Sequence, residues 1–471
     1  MPPTIVLVNP PGRRLYQRDW YDGCVAKGHY LWPPLNLLVQ SGFLARVARV
    51  HVVDGMAERL THEQALERVA SHAPDVVVLL TGSASWEEDL SFAREARRRT
   101  GARLVGHGDA FTFEPRQALE RWPFVDAAFY DFTSPGLAEW VASGRGSELR
   151  FPDVMHRGAP ATTSNASDAI VEGPWRRAKD ELDYPLPRHE LFPLARYRMP
   201  FGPVEPLSAM LTNYGCPHTC EFCNKPSLGF RLRPLDAVSE ELAALASLGI
   251  ERLFVADMTF NVSRARVHEV CERFARAPAR FRFSAYARPD GFDVEQARVM
   301  KRAGAIAIHF GVESGDERVL ADNGKPMSVA RVEDAFRACR REGILAGAHF
   351  LLGLPGETRE GLERTVSLAR NLEPDFAAVN LVMPRMGTRL RARLGTALDG
   401  TFTTLDSSGR SQPVATSPVR PRELERGRRR LMRALYFHPR SVARQVGRLR
   451  TWAEAANLLR NGYTVLRSYA T

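Results

Sequence analysis

A strand–helix rhythm runs twice along this chain, and it limits the fold more than any other feature. Between residues 1 and 145 the short apolar runs TIVLVN (4–9), ARVHVVD (48–54), DVVVLLT (75–81), ARLVG (102–106) and VDAAFY (125–130) alternate with helical patterns near 34–46, 62–72, 86–99, 115–120 and 134–143. β-Branched runs without polar alternation suit strands buried on both faces. Strand–helix repetition of this kind predicts a doubly wound parallel sheet, an α/β fold.

The rhythm breaks at 146–203, where Pro-, Ser- and Gly-rich sequence reads as a linker. A second series follows over 204–395. Its strands are LSAMLTN (207–213), RLFVAD (252–257), FRFSAYA (281–287), IAIHFG (306–311), LAGAHFLLG (345–353) and FAAVNLVM (376–383), with helices near 235–248, 263–276, 293–303, 328–341 and 359–370. Six such units predict a partial (β/α)6 TIM-like barrel, whose active groups belong at the carboxyl ends of its strands. From 396 to 471 the pattern is helical: Leu424, Leu431, Met432, Leu435 and Tyr436 form one stripe, Val442, Val446, Leu449 and Ala453 another, and Pro439 separates them.

Charge is concentrated in that last region. Residues 420–471 hold 13 Arg and no Lys against three acids, a surplus of ten within a chain net of +11. The body is therefore close to neutral. The tail reads either as helices packed on the barrel or as a peripheral contact with an anionic membrane. No run of about 18 apolar residues predicts a membrane span, and the start, MPPTIVLVNPPGRR, has no leader pattern. Six irregularly spaced cysteines do not suit a disulfide framework, so a cytoplasmic location is expected.

Doubly wound sheets take ligands at the carboxyl ends of their strands. In the first series those ends are NPPG with Asn9 and Pro10, TGSAS with Thr81, Gly82 and Ser83, GHGDAF with Gly106 and Gly108, and YDFTSPG with Tyr130 and Asp131. Small residues there let a flat ligand approach the backbone. Ordinary turn chemistry favours the same residues.

The segment TNYGCPHTCEFCNKP (212–226) directly follows the first barrel strand and places Cys216, Cys220 and Cys223 within eight residues. Thiolates select soft metals. A structural zinc site wants four ligands, and Cys24, Cys271 and Cys339 lie in distant segments. Three thiolates on a cube of four irons leave one iron open for chemistry. A colourless zinc-stabilised binding module is the non-enzymatic alternative, which iron analysis separates from a cluster.

CPHTCEFC after a strand that opens a partial barrel resembles the radical S-adenosylmethionine superfamily. The resemblance implies a 4Fe-4S cluster on the three cysteines and S-adenosylmethionine on the open iron, cleaved to a 5′-deoxyadenosyl radical. It also implies roles at successive strand ends. Phe222 packs near adenine, Asp257 holds the methionine amino group, and Arg288 and Glu313 contact the methionine carboxylate and ribose. FLLGLPGET (350–358) and MPRMGTRL (383–390) match the fifth and sixth ends.

The segment from WPPLNLLVQSGFLA, with Pro34, through VHVVDGMAERL to TGSASW resembles the cobalamin-binding domain of cobalamin-dependent radical enzymes. LYFHPRSVARQVGRL resembles their helical tail. This chain lacks the Asp-x-His-x-x-Gly cobalt signature, which implies cobalt without a protein imidazole. YDFTSPG also stands where the branch usually has Gly-Glu-x-Glu. The resemblance implies methylation of an unactivated carbon in a small-molecule, lipid or tetrapyrrole intermediate, with a flavodoxin or ferredoxin as electron donor. A radical cyclisation, rearrangement or oxidation without methyl transfer is the alternative. A transfer-RNA modifier would need further cluster cysteines in the first domain, where Cys24 stands alone, so no nucleic-acid partner is expected.

Overall fold

The computed structural model describes residues 1–18, 23–26, 28, 30–144, 149–158, 170–175, 182–200, 205–395, 416–436, 443, 446, 447, 449 and 451–470. In the first sheet β1 (Thr4–Asn9) lies between β2 (Arg49–Asp54) and β3 (Val76–Leu80), and β4 (Arg103–His107) and β5 (Ala127–Phe129) continue it in parallel. Every residue of β1 and β3 is buried, which is why both read as unbroken apolar runs. The order β2-β1-β3-β4-β5 puts a topological switch between β1 and β3, where such sheets form a ligand crevice.

The stretch read as a linker contributes to this sheet. Within 146–203, β6 (Val154–Arg157) and β7 (Ile170–Glu172) add antiparallel at the edge beyond β5. Their short length and polar flanks hide them in the sequence. Farther along, the Tyr197 hydroxyl donates to Asp54 Oδ2 at 2.8 Å, and His189 sits between Ser208 Oγ (2.8 Å) and Glu241 Oε1 (3.0 Å). This segment is therefore fastened to both sheets.

The second sheet is parallel throughout, and its strands follow chain order: β8 (Leu207–Met210), β9 (Arg252–Val255), β10 (Arg282–Ala287), β11 (Ala305–Glu313), β12 (Leu345–Leu352) and β13 (Phe376–Leu381). Side chains of Ser263, Asp293, Ser328 and Thr358 cap the helices that begin at 264, 294, 329 and 359. Helix Arg264–Arg276 buries Val267, Val270, Cys271 and Phe274 at helical spacing. Cys271 is thus core, and burial pushes its thiol up to about 12. Cys339 is buried likewise on helix Val329–Glu342.

In the tail, helix Pro421–Tyr436 buries Leu424, Leu431, Met432 and Leu435 against helix Arg359–Leu372 and β13. The Tyr436 hydroxyl donates to the Ala377 carbonyl at 2.6 Å. The helix also forms ion pairs Arg430–Glu363 and Glu423–Arg359 with that neighbour. The second stripe departs from expectation, because Val446 is 55% exposed. Val442, Pro439 and the Ala453 side chain lie outside the described residues. Among the described residues no helix is long and apolar enough to cross a membrane.

Candidate functional site

The cysteine loop is closed by a small antiparallel ribbon, Asn213–Gly215 with Phe230–Leu232. Gly215 sits at φ +74°, and a Cβ there would fall 1.6 Å from the Gly229 carbonyl oxygen, so only glycine closes the ribbon. Cys216 follows immediately. Two segments, one between β11 and β12 and one after β13, then grip the loop. The Glu221 N–H donates to the Asn323 carbonyl and the Glu221 carbonyl accepts from Leu390 N–H, both at 3.0 Å, while Arg393 pairs with the Glu221 carboxylate. Asn323 is anchored through Nδ2 to the Pro355 carbonyl at 2.9 Å. Cys220 is buried, and Cys216 and Cys223 are half-buried.

Cations face these thiols. Arg288 places Nη1 3.8 Å from Cys220 Sγ, while its Nε and Nη2 donate to Asp290 at 3.0 and 2.8 Å. Asn261 holds the Arg288 backbone at both N–H and carbonyl (2.9 and 2.8 Å). Burial raises the Cys220 thiol, and the Lys325 and Arg288 charges oppose that rise. They therefore favour the thiolate that a cluster needs. Among the described residues no three His, Cys, Asp or Glu side chains are grouped to hold a single metal ion. A cube of four irons demands no such convergence, since each thiolate takes its own iron.

Glu313 ends β11 at φ +62°, where the pairing with β12 slips between Gly311 and Glu313. A left-handed non-glycine residue costs about 1–3 kcal/mol. Here the carboxylate meets Lys325 Nζ at 2.7 Å, and the ammonium also donates to the Gly311 carbonyl at 2.8 Å. A Cβ on Gly311 would lie 2.5 Å from Glu313 Oε1, so glycine makes room for the pair. Phe222 is half-buried and packs on the core.

Asp257 differs from its sequence reading. Its carboxylate accepts from Thr212 N–H (2.7 Å), Asn213 N–H (3.1 Å), Asn213 Nδ2 (2.9 Å) and the Thr212 hydroxyl. Four donors use the acceptor capacity of both oxygens. Burial pushes this group up to about 6. Asp257 braces the strand end that launches the cysteine loop and keeps no lone pair for a methionine ammonium.

The sequence reading missed Lys325, Asp290, Arg231 and Arg18. A signal for Lys325 existed: the chain has only five lysines among its 65 basic residues, and two of them, Lys225 and Lys325, are buried.

The carboxyl edge of the first sheet faces the same loop. Arg231 of the ribbon forms a buried ion pair with Asp131, stands 4.6 Å over the Tyr214 ring and donates to Thr133 Oγ1 at 2.8 Å. Phe132 meets Tyr214 edge-on at 5.5 Å. Met386 packs among Phe111 and Tyr130. Arg385 lies close enough to Asp109 to oppose the rise that burial imposes on that carboxyl.

The other first-sheet residues are more enclosed than expected. Arg18 is fully buried against Asp89 (2.7 Å) and donates to Asn9 Oδ1 (3.0 Å) and the Pro10 carbonyl (2.8 Å). A Cβ on Gly82 would lie 3.0 Å from Gly23 Cα, and Ser83 Oγ donates to the Gly23 carbonyl at 3.4 Å. The hairpin Tyr16–Gln17/Cys24–Val25 thus covers the crevice between β1 and β3, with Asn9, Pro10, Gly82 and Ser83 beneath it. Thr81 Oγ1 donates to the His107 carbonyl at 2.9 Å, Gly106 lies under Phe111, and Gly108 (φ +134°) turns close to the Thr81 carbonyl. Tyr130 stacks toward Trp175 in the core, and Pro34 begins helix Leu35–Leu44. His107 Nδ1 meets the Phe129 carbonyl at 2.9 Å and Nε2 meets Asn36 Nδ2 at 2.7 Å. The carbonyl requires Nδ1–H, so Nε2 accepts. Burial keeps the ring neutral, with its value lowered to about 4. Both nitrogens are used internally, so this imidazole is not offered to cobalt.

Trp32 leaves the first domain and enters the barrel, 4.6 Å from Phe254 and 6.4 Å from Tyr286. Tyr286, His309 and His349 continue this lining, with His309 Nδ1 3.3 Å from His349 Nε2. Burial drives His309 well below its ordinary value.

Residues 210–369 match the family model described as Radical SAM superfamily. The chain is 28% identical over 371 residues to an uncharacterized methyltransferase of Pyrococcus horikoshii, covering 76% of this chain and 77% of that one. It is 26% identical over 366 residues to the anaerobic magnesium-protoporphyrin IX monomethyl ester cyclase of Cereibacter sphaeroides, covering 75% and 59%. The solved structure of TsrM from Kitasatospora setae, a radical S-adenosylmethionine methyltransferase with cobalamin and a 4Fe-4S cluster bound, superposes with a TM-score of 0.62. Identity is 22%, and the match covers 91% of this chain and 82% of that one. Cysteine loop, partial barrel and the match over residues 210–369 define a radical S-adenosylmethionine domain. The succession of a doubly wound first sheet and a partial barrel is a fold this chain shares with TsrM.

Proposed function

We propose that this protein is a cobalamin-dependent radical S-adenosylmethionine methyltransferase acting on an unactivated carbon of a small-molecule, lipid or tetrapyrrole intermediate. One observation carries the reading. The carboxyl edge of the first sheet is locked against the ribbon that bears the cysteine loop, through Asp131–Arg231 and Phe132–Tyr214. A methyl carrier at those strand ends and a radical source on the loop would then share one enclosed space. The named functions of the Pyrococcus and Kitasatospora proteins support the same reading.

When bound, the cluster with S-adenosylmethionine supplies the 5′-deoxyadenosyl radical, and cobalamin supplies the methyl group. The chain would contribute the rest. Cys216, Cys220 and Cys223 would hold three irons, and Arg288 would stabilise the Cys220 thiolate. Glu313 and Lys325, a pair with small exposure (14% and 6%), offer acceptor and donor to the ribose and carboxylate of S-adenosylmethionine. Gly106, Gly108, Thr81 and Asp131 form the strand-end turns left to a corrin, since the hairpin covers Asn9, Pro10, Gly82 and Ser83. Trp32, Phe254, Tyr286, His309 and His349 would form the substrate chamber, which excludes water around a radical.

The relative named as a cyclase supports a second reading, a radical cyclisation, rearrangement or oxidation without methyl transfer. Flavodoxin or ferredoxin would deliver the electron in either case. The ion pairs of the tail's first helix with Glu363 and Arg359 favour barrel packing over membrane contact. Anaerobic purification with corrinoid supplementation tests the proposal by cofactor counting and product analysis. About four irons, one corrinoid, and both S-adenosylhomocysteine and 5′-deoxyadenosine are expected. A protein that makes 5′-deoxyadenosine, keeps no corrinoid and forms no S-adenosylhomocysteine would belong to the second reading.

A further inference from the structure

The last helix, Trp452–Ala470, turns a polar side toward the protein and an apolar side outward. Its start is fixed by a reciprocal cap: the Thr451 N–H donates to Glu454 Oε2 and the Glu454 N–H to Thr451 Oγ1, both at 3.2 Å. At about 3.6 residues per turn, intervals of seven and four residues bring Trp452, Leu459 and Tyr463 back to one line, with Ala456 beside them. Trp452 is 92% exposed, Leu459 73% and Tyr463 66%. Glu454, Asn457 and Asn461 lie on the opposite side, and both asparagines are buried. Asn461 Nδ2 donates to the Pro200 carbonyl at 3.4 Å and to Asn457 Oδ1 at 3.1 Å, and a Cβ on Gly28 would fall 3.0 Å from Asn461 Oδ1. We propose that the outward face of this helix docks the protein on the surface of an anionic phospholipid bilayer.

A surface helix ordinarily buries its apolar stripe and hydrates its polar one. Here the asparagines hold the helix to the body, and an indole, a phenol ring and a leucine side chain face water. Exposed apolar side chains that stand singly need no explanation. Leu149, Leu186, Leu232 and Leu248 are of that kind. Val446, Trp452, Leu459 and Tyr463 instead fall within eighteen residues, and each is exposed over more than half of its surface. Helix Pro421–Tyr436 keeps its place on the barrel, so the contact belongs to the end of the tail.

Residue chemistry selects the bilayer. Trp and Tyr settle at the headgroup level of a membrane, with the ring toward the acyl chains and the polar atom toward water. An interfacial helix joins such a face to arginines that meet anionic headgroups. Over 437–471 the sequence carries six arginines and one acid, and that acid, Glu454, is on the inner side. Arg460, which is exposed, flanks the apolar line. A second copy of the chain fits less well. Two aromatic rings and one leucine offer roughly 500 Å², so two copies face to face would bury about 1,000 Å², short of the ~1,200–2,000 Å² of a stable interface. The two basic tails would also repel each other. Because its inner side stays docked at Pro200 and Gly28, the helix lies on the bilayer rather than crossing it.

Co-sedimentation of the full-length protein with vesicles tests this without cluster, corrin or turnover, so its outcome is independent of the methyl-transfer reading. Saturable binding to vesicles of phosphatidylglycerol and phosphatidylcholine in equal parts is expected, with weaker binding to phosphatidylcholine alone. The double substitution Trp452→Ser/Leu459→Ser, at exposed positions, should weaken binding to the mixed vesicles about tenfold, equivalent to ~1.4 kcal/mol. Trp452→Phe/Leu459→Met should retain it, and Leu248→Ser, an exposed apolar position on a barrel helix's end, should leave it unchanged. The proposal fails if the mixed vesicles bind no protein, if both kinds of vesicle bind it equally, or if the double serine variant binds as the unaltered protein does. Sedimentation equilibrium without vesicles supplies the competing outcome: self-association that the double serine variant abolishes would assign the face to a second copy of the chain and overturn the proposal.

Discussion

Asp131 and Arg231, one hundred residues apart, form a buried ion pair that joins the end of β5 to the ribbon leading into Cys216. Removing one partner of a buried pair strands the other charge. Asp131→Ala should therefore cost about 3–5 kcal/mol of stability in denaturant unfolding. Methyl-group transfer should fall further than 5′-deoxyadenosine formation, because the pair aligns two domains and touches neither thiol nor sulfonium. Equal losses of both products would contradict this alignment role.

Each of Cys216, Cys220 and Cys223 should be indispensable. Substituting any one with alanine leaves two thiolates, and iron in the reconstituted protein should fall from about four per chain toward zero. Cys271→Ala and Cys339→Ala should keep full iron content, since both thiols are buried in helix cores. Colorimetric iron analysis reads this directly.

Arg288 should tune the cluster as well as help to hold it. Its Nη1 lies 3.8 Å from Cys220 Sγ, and a nearby cation that donates toward a ligating sulfur favours the reduced, more negative cluster. Arg288→Met should shift the midpoint potential to more negative values in a titration monitored by paramagnetic resonance. Arg288→Lys should recover part of the shift.

Glu357 predicts a pH effect on stability. It is buried in the turn after β12, where Oε2 accepts from Gly353 N–H and Oε1 has no hydrogen-bond partner among the described residues. Burial pushes its carboxyl up to about 7 from an ordinary 4.5. A folded value above the unfolded one means that the stabilisation is complete below about pH 4.5 and is lost as pH rises through 7. Glu357→Gln should thus change little at pH 4.5 and stabilise the protein by about 3 kcal/mol at pH 8. Thermal unfolding at the two pH values checks the sign.

Much of this molecule was legible because it obeys simple periodicities. Unbroken apolar runs such as Val76–Leu80 are strands buried on both faces, and the barrel helices carry their caps in sequence. The three cysteines stand out in the sequence because thiolate chemistry is tied to residue type and spacing, and their role in holding a cluster is part of the proposal. What escaped depended on distance in the chain. Nothing near Arg18 announces Asp89, and nothing near Asp257 announces that Thr212 and Asn213 would consume its lone pairs. The strands at 154–157 and 170–172 escaped for a different reason: each is too short to show a period, and only the free edge of β5 gives them a place.

The account's central claim is that one enclosed site serves both a radical source and a cobalt-borne methyl group. The direct measurement needs no substrate. The protein is reconstituted anaerobically with iron, sulfide and cobalamin, reduced, and given S-adenosylmethionine labelled in its methyl group. Label on the corrinoid is expected, together with an equal amount of S-adenosylhomocysteine. Abundant 5′-deoxyadenosine with an unlabelled or unbound corrinoid would contradict it.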